Sequence, residues 1–362
     1  MHILHLINNA RRGGAGFVVL PLVKELRKAG HTFTIAYLQG PENLKEEYQR
    51  LGAKTVLLGK NPFRILKLLI GMLSNREEPI SLIHTHLVQA SLIGRFIGLI
   101  FRIPVMTTRH YLERGKPNHP LYILEDWTTR FSTKVVAISS AVQKHLIESN
   151  YVSIDKCAMV YNPIDLKIFD EVQESNLKEK TNLVFNGRFL EVKGIRYLLE
   201  AFDQIASSIP AAKLVLLGRY EDNNPVMALI DQHQYQDRII IKGFVPRAEI
   251  IDELSRARIY IQPSLSEGLG ISALEAMGLR CPCIFSDVGG LVELSQEGQT
   301  AILFPSRDSA QLAIEILDLW NNIEKSELLG AKAKKYVYRN FDSRIIAAQY
   351  LKYYQVLNKG IL

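Results

Sequence analysis

Two carboxylates eight positions apart, Glu267 and Glu275, sit in the segment QPSLSEGLGISALEAMG (262–278), which runs from a strand through a Ser/Gly turn into a helix. Eight positions are a little over two helical turns, so the acids can reach two parts of one polyhydroxyl ligand. Gly268 and Gly270 permit a close approach of backbone to ligand. The exposed amides at the helix start, around Leu269, Gly270 and Ile271, suit a phosphate. On residue types alone, the same pattern also occurs as plain structure. Three histidines form a second group. His110 closes the run PVMTTRH, while His84 and His86 flank Thr85 and so share one side of a strand. Two histidines could begin a metal set, but no third ligand is apparent, so no metal is expected. Gly13-Gly14-Ala15-Gly16 is a tight turn that matches neither a dinucleotide fingerprint nor a P-loop. Arg11 and Arg12 in that turn are candidates for an anionic donor or acceptor, or plain solvated charges.

These groups need strands that end beside one another. Apolar runs at 2–7, 32–38, 55–59, 81–86, 104–110 and 134–139 alternate with helical patterns at 17–30, 62–75, 88–101 and 118–131. The second half repeats the design, with strand runs at 182–188, 212–218, 238–244, 258–264, 281–287 and 301–305. Continuous apolar strands alternating with helices predict parallel sheets covered on both faces. The predicted fold class is α/β, with two Rossmann-like, doubly wound parallel-sheet domains facing across a cleft. The domains are set at 1–165 and 166–340, with a charged linker at about 162–180. A C-terminal helix in 341–362 has an aromatic-apolar stripe and is expected to dock on one or both domains, the N-terminal domain being the candidate. In open parallel sheets ligands lie at the carboxyl ends of strands, where the residues above fall.

Composition narrows the classes. The chain has 362 residues, 47% hydrophobic and 22% charged, as soluble globular proteins do. No stretch of roughly 20 uncharged apolar residues is present. The opening MHILHLINNA reads as a strand and lacks a basic n-region, so no secretory signal is expected. Cys157, Cys281 and Cys283 make neither a disulfide framework nor a four-ligand zinc set, which points to a reducing cytoplasm. The +7 charge is uneven: 1–165 carries 21 Lys+Arg against 12 Asp+Glu, the remainder 23 against 25. The basic half is therefore expected to face something anionic. No nucleic-acid module signature is present.

The Glu267…Glu275 spacing in SEGLGISALEAMG closely resembles the signature of family 4 retaining glycosyltransferases. FNGRFLEVKGI (185–195) looks like that family's G-R…K-G element, and SDVGGLVELSQEGQTAILFPSRD (286–308) like its Gly-Gly…Glu…Gly segment. INNARRGGAG (7–16), IHTHL (83–87), MTTRH (106–110) and AISSAV (137–142) fall where its N-domain elements fall. The resemblance implies the GT-B fold, with a nucleotide-sugar donor held mainly by the C-terminal domain. It implies that Arg188 and Lys193 clamp the diphosphate, Glu275 holds the ribose, and Glu267 the transferred sugar. The amides at Leu269, Gly270 and Ile271 would help hold sugar and phosphate. Gly13 and Gly14 would line the cleft, and His110 would face the donor sugar. Phe244 is either near the base or core packing. His86, Ser139, Arg11 and Arg12 are acceptor-side candidates.

No Asp-x-Asp pair occurs, so the expected leaving-group stabilisers are cations and helix amides, with no metal or other cofactor. The expected activity is metal-independent transfer of a hexose, with retention, from a UDP-sugar (GDP-sugar next) to a glycan or lipid-linked acceptor. The setting would be cell-surface polysaccharide or lipopolysaccharide synthesis. NPFRILKLLIGMLSNR (61–76) and GRFIGLIFRIP (94–104) are apolar and basic: core helices, or a peripheral face on an anionic membrane near a lipid-linked acceptor. RGKPNH (114–119) would border the acceptor entrance. Rival readings are a nucleotide-sugar 2-epimerase of the same architecture and a catalytically inactive sugar-nucleotide binder. A nicotinamide dehydrogenase lacks its glycine fingerprint here.

Overall fold

The computed structural model describes residues 1–10, 15–112, 119–172, 176–221 and 224–359. The chain divides into two compact units, Met1–Asp165 with Phe341–Leu362, and Leu166–Asn340.

The first unit holds a seven-stranded, all-parallel sheet of β1 (His2–Asn9), β2 (Thr32–Gln39), β3 (Lys54–Leu57), β4 (Ile80–His86), β5 (Val105–Arg109), β6 (Lys134–Ala137) and β7 (Cys157–Met159), in the order β3-β2-β1-β4-β5-β6-β7. Helices α1 (Ala15–Lys28), α2 (Lys45–Arg50), α3 (Pro62–Leu73), α4 (Val88–Phe101), α5 (Pro120–Thr128) and α6 (Ser140–Glu148) connect the strands. The strand order reverses its walk between β1 and β4, so the crossovers cover both faces. On one face α1 packs over Ile3, Ile7, Phe33 and Met106. On the other, α3 and α4 pack over Leu4, Leu6, Ile83 and Val105. Strand β7 was not anticipated; CAM is three residues long, too short for a periodicity to register.

The second unit contains α7 (Lys167–Asp170), β8 (Asn182–Asn186), α8 (Ile195–Ile205), β9 (Lys213–Leu217), α9 (Pro225–Asp231), β10 (Ile239–Gly243), α10 (Arg247–Ser255), β11 (Ala257–Gln262), α11 (Ile271–Gly278), β12 (Cys283–Ser286), α12 (Gly290–Ser295), β13 (Ile302–Phe304), α13 (Ser309–Asn321) and α14 (Ile323–Asn340). Its six parallel strands run β10-β9-β8-β11-β12-β13, the Rossmann order of 3-2-1-4-5-6. Helix α8 shows why the pattern works: Ile195, Leu198, Leu199, Phe202 and Ile205 fall at helical spacing, all buried on the sheet.

The final helix, α15 (Ser343–Lys359), returns to the first unit. Ile346, Ala347, Tyr350 and Tyr354 enter the same core as Ile3, Tyr37 and Met106. Backbone bonds Ile164 N–Phe341 O (2.8 Å) and Ser343 N–Ile164 O (2.9 Å) fix its entry.

Candidate functional site

In each sheet the strand walk reverses once, between β1 and β4 and between β8 and β11, and such a switch point leaves an open crevice at the strands' carboxyl ends. In the second unit the residues singled out in the sequence converge there. After β8 the chain passes Gly187 and Arg188 into a short turn, Glu191–Lys193. After β11 it passes Pro263 and Ser264 to Glu267. The two loops are joined by Leu265 N to Val192 O, 2.8 Å. Gly194 makes this approach possible: its φ is +65°, and a Cβ there would lie 1.9 Å from the Pro263 carbonyl oxygen. The result is an ion pair across the switch point, Lys193 Nζ to Glu267 Oε2 at 2.5 Å, with side chains 18% and 16% exposed. Ser264 Oγ adds a 3.4 Å bond to the same carboxylate oxygen.

Helix α11 begins one turn later. Gly270, with φ +95°, precedes it, and the first intrahelical bond is Leu274 N to Gly270 O. The amides of Ile271, Ser272 and Ala273 thus have no intrahelical acceptor. Leu269 is buried, so what its residue can offer a ligand is backbone. The turn is held from behind by Gly290 N to Glu267 O, 3.1 Å. A Cβ on Gly290 would meet the Gly268 carbonyl oxygen at 2.5 Å, so only glycine fits beneath it. One turn along α11, Glu275 is buried and takes a 2.9 Å bond from Arg247 Nη2. Burial pushes the Glu275 carboxyl above its ordinary pKa, and the Arg247 charge works against that rise. Arg188 is exposed and pairs with no described residue. Phe244, just after β10, is 69% exposed, which removes its core-packing reading.

In the first unit, His110 follows β5 and is half-buried. Its Nε2 meets His86 Nδ1 at 3.0 Å, and His86 Nε2 meets His5 Nδ1 at 3.2 Å. His84 places Nδ1 2.6 Å from Tyr354 Oη and Nε2 2.8 Å from Thr108 Oγ1. His5, His84 and His86 are fully buried. Desolvation pulls His5 down to about 3 and His110 to about 4. It sends His84 and His86 well below the ordinary value, helped by mutual repulsion with their histidine neighbours. All four imidazoles are neutral at neutral pH. His5 is the third histidine that sequence reading missed. Ligand nitrogens of His5, His84 and His86 lie within 4.8 Å of one another, the one such group found among the described residues. Both nitrogens of His84 already hold hydroxyl partners, so coordination would have to break one of those bonds.

His86 and Ser139 need correction as acceptor contacts. Both are fully buried; His86 has both nitrogens bonded, and the Ser139 hydroxyl accepts Val142 N at 3.2 Å as the cap of α6. Arg109, beside His110, is buried in ion pairs with Glu125 and Asp126, and Arg95 reaches Glu125 at 3.5 Å. This network anchors the end of β5, and it too was missed. Arg11, Arg12, Gly13 and Gly14, and residues 114–118 of RGKPNH, lie outside the described residues.

Residues 167–336 match the family described as Glycosyl transferases group 1, and residues 12–168 match Glycosyltransferase Family 4. The chain belongs to the family 4 glycosyltransferases. This glycosyltransferase is 25% identical to N-acetyl-alpha-D-glucosaminyl L-malate synthase of Bacillus anthracis, over 95% of its length and 94% of that protein. It is 26% identical to the capsular polysaccharide biosynthesis glycosyltransferase CapM of Staphylococcus aureus, over 78% and 79%. In fold the glycosyltransferase is similar to Anabaena Alr3699/HepE, solved in complex with UDP-glucose. The TM-score is 0.86 at 20% identity, covering 98% of this chain and 100% of that one. Its fold class is GT-B, two Rossmann-like parallel-sheet domains.

Proposed function

We propose that this glycosyltransferase transfers a hexose, with retention and without a metal, from a UDP-sugar to a glycan or lipid-linked acceptor; a GDP-sugar is the next donor in line. The observation that carries the reading is the Lys193–Glu267 pair set across the β8/β11 switch point, with Glu275 and Arg247 behind it. Lys193, Arg188 and the first amides of α11 take the diphosphate, since fixed cations and preorganised amides suit phosphate oxygens. Diphosphate binding would draw Lys193 from Glu267 and leave that carboxylate to accept sugar hydroxyls. Glu275, held by Arg247, takes the ribose hydroxyls, and exposed Phe244 offers a face to the base. His110 is assigned a hydrogen bond to the transferred sugar.

Glu267 is a positioning group, not a nucleophile. The bond from C1 to the leaving phosphate oxygen breaks, and the acceptor oxygen bonds C1 on the same face. The acceptor proton passes to the departing phosphate. Lys193, Arg188 and the amides stabilise the charge that develops there. The CapM similarity and the chain's basic first half support a place in surface-glycan assembly, polysaccharide or lipopolysaccharide, on the inner, cytoplasmic face of the membrane. No helix among the described residues is long and apolar enough to cross a membrane.

The test is product analysis with UDP- and GDP-sugars in EDTA, with and without acceptor. Transfer with the donor's anomeric configuration kept is expected. Donor isomerised without acceptor would establish the epimerase reading, and binding with no turnover would establish the inactive one.

A further inference from the structure

Helices α3, α4 and α5 are apolar on two sides. Their inner stripes, such as Ile65, Leu69 and Ile97, pack on the sheet and on each other. Their outer stripes stay largely exposed, although Trp127 touches Phe131 and Arg130 of its own segment. Phe63 is 82% exposed, Phe96 60%, Ile100 56%, Ile123 55% and Trp127 52%. With Leu66, Ile70 and three neighbours, these make ten of the twenty large hydrophobic side chains exposed among the described residues, all within positions 63–131. A helix apolar all round is ordinarily buried, and a contiguous exposed patch marks a surface that meets something. What it meets is indicated by charge. Arg64, Lys67 and Arg102 on these helices are exposed and pair with no described carboxylate. The described acids of the same stretch are Glu77 and Glu78, exposed, with Glu78 holding Lys54, and Glu125 and Asp126, which hold Arg109. Large apolar side chains interleaved with unpaired cations match the interface of an anionic bilayer, headgroups for the cations and the acyl boundary for the rings.

We infer that the outer face of the α3–α4–α5 layer docks on an anionic phospholipid bilayer. The inference rests on the reading of this protein as an enzyme acting at a membrane, and it names the surface that does the docking.

The test uses the full chain and vesicles of phosphatidylglycerol with phosphatidylcholine, against phosphatidylcholine alone. The chain has two tryptophans, Trp127 and Trp320. Trp320 lies in the second unit against Arg258. In a Trp320→Phe background, Trp127 fluorescence should shift to the blue with anionic vesicles at low salt and be quenched by brominated acyl chains. Phe63→Ser with Phe96→Ser should weaken vesicle binding by about tenfold or more. The melting temperature and turnover on a water-soluble acceptor should stay unchanged, because neither residue is in the binding machinery. No binding to anionic vesicles at low salt would overturn the inference, as would equal binding by the double variant. So would a concentration-dependent dimer abolished by the same substitutions, which would make the face a contact between copies. Vesicle binding is read without turnover, so failure here leaves the transferase reading standing.

Discussion

Acidification from about pH 7.5 to about pH 5.5 should weaken the N-terminal unit by about 4 kcal/mol through its cluster of four neutral histidines. His5, His84 and His86 are fully buried, and the groups facing them are His110 beyond β5, Thr108 of β5, Phe33 of β2, and Tyr350 and Tyr354 of α15. None is a carboxylate that could hold an imidazolium. The folded pKa values are lowered, His5 to about 3 and the others well below the ordinary value. The unfolded chain therefore binds more protons than the folded one below about pH 6.5, and stability falls as pH falls. Over two pH units centred on 6.5, each of these three histidines and His110, itself lowered to about 4, costs on the order of 1 kcal/mol, hence about 4 in all. For a unit of this size that is a drop in melting temperature of roughly 8–16 °C. Calorimetry at the two pH values measures it, and a His86→Phe variant should remove about a quarter of the slope. A melting transition of the first unit that moves by less than about 2 °C would refute the neutral-histidine cluster.

Replacing Lys193 by Ala should lower kcat by about 10²–10³, as for the loss of one charge-stabilising donor; steady-state turnover at saturating donor checks this, and Lys193→Arg should recover part of it. Arg247→Ala leaves the buried Glu275 carboxylate without its cation. With Arg247 itself partly exposed, the cost should be about 2 kcal/mol, read by denaturant unfolding, with weaker nucleotide binding alongside.

Most of the fold was legible because its strands are continuous apolar runs and its helices carry a 3.6-residue stripe, as in β2 and α8. Strand β7 and helix α2 were not, being too short for any period to stand out. The nearness of Lys193 and Glu267 was legible because both lie in glycine-punctuated turns after strands, at the ends of neighbouring β8 and β11. Arg247 was invisible: it reaches Glu275 from another helix, 28 positions away, and nothing local marks it. His5 was missed for a related reason. It pairs with His86 through the sheet, 81 positions apart, and only the β1–β4 register brings His5 opposite His84. Ser139 looked like a site residue because it ends a strand, but a serine there also caps the next helix, and that is what it does.

The central claim is that the β8/β11 switch point holds a nucleoside diphosphate by Lys193 without a metal. Titration calorimetry of UDP into the protein in EDTA tests it most directly. The account predicts saturable binding at one site per chain that Lys193→Ala weakens by about tenfold or more. Binding that needs an added divalent cation, or that is the same in Lys193→Ala, would contradict it.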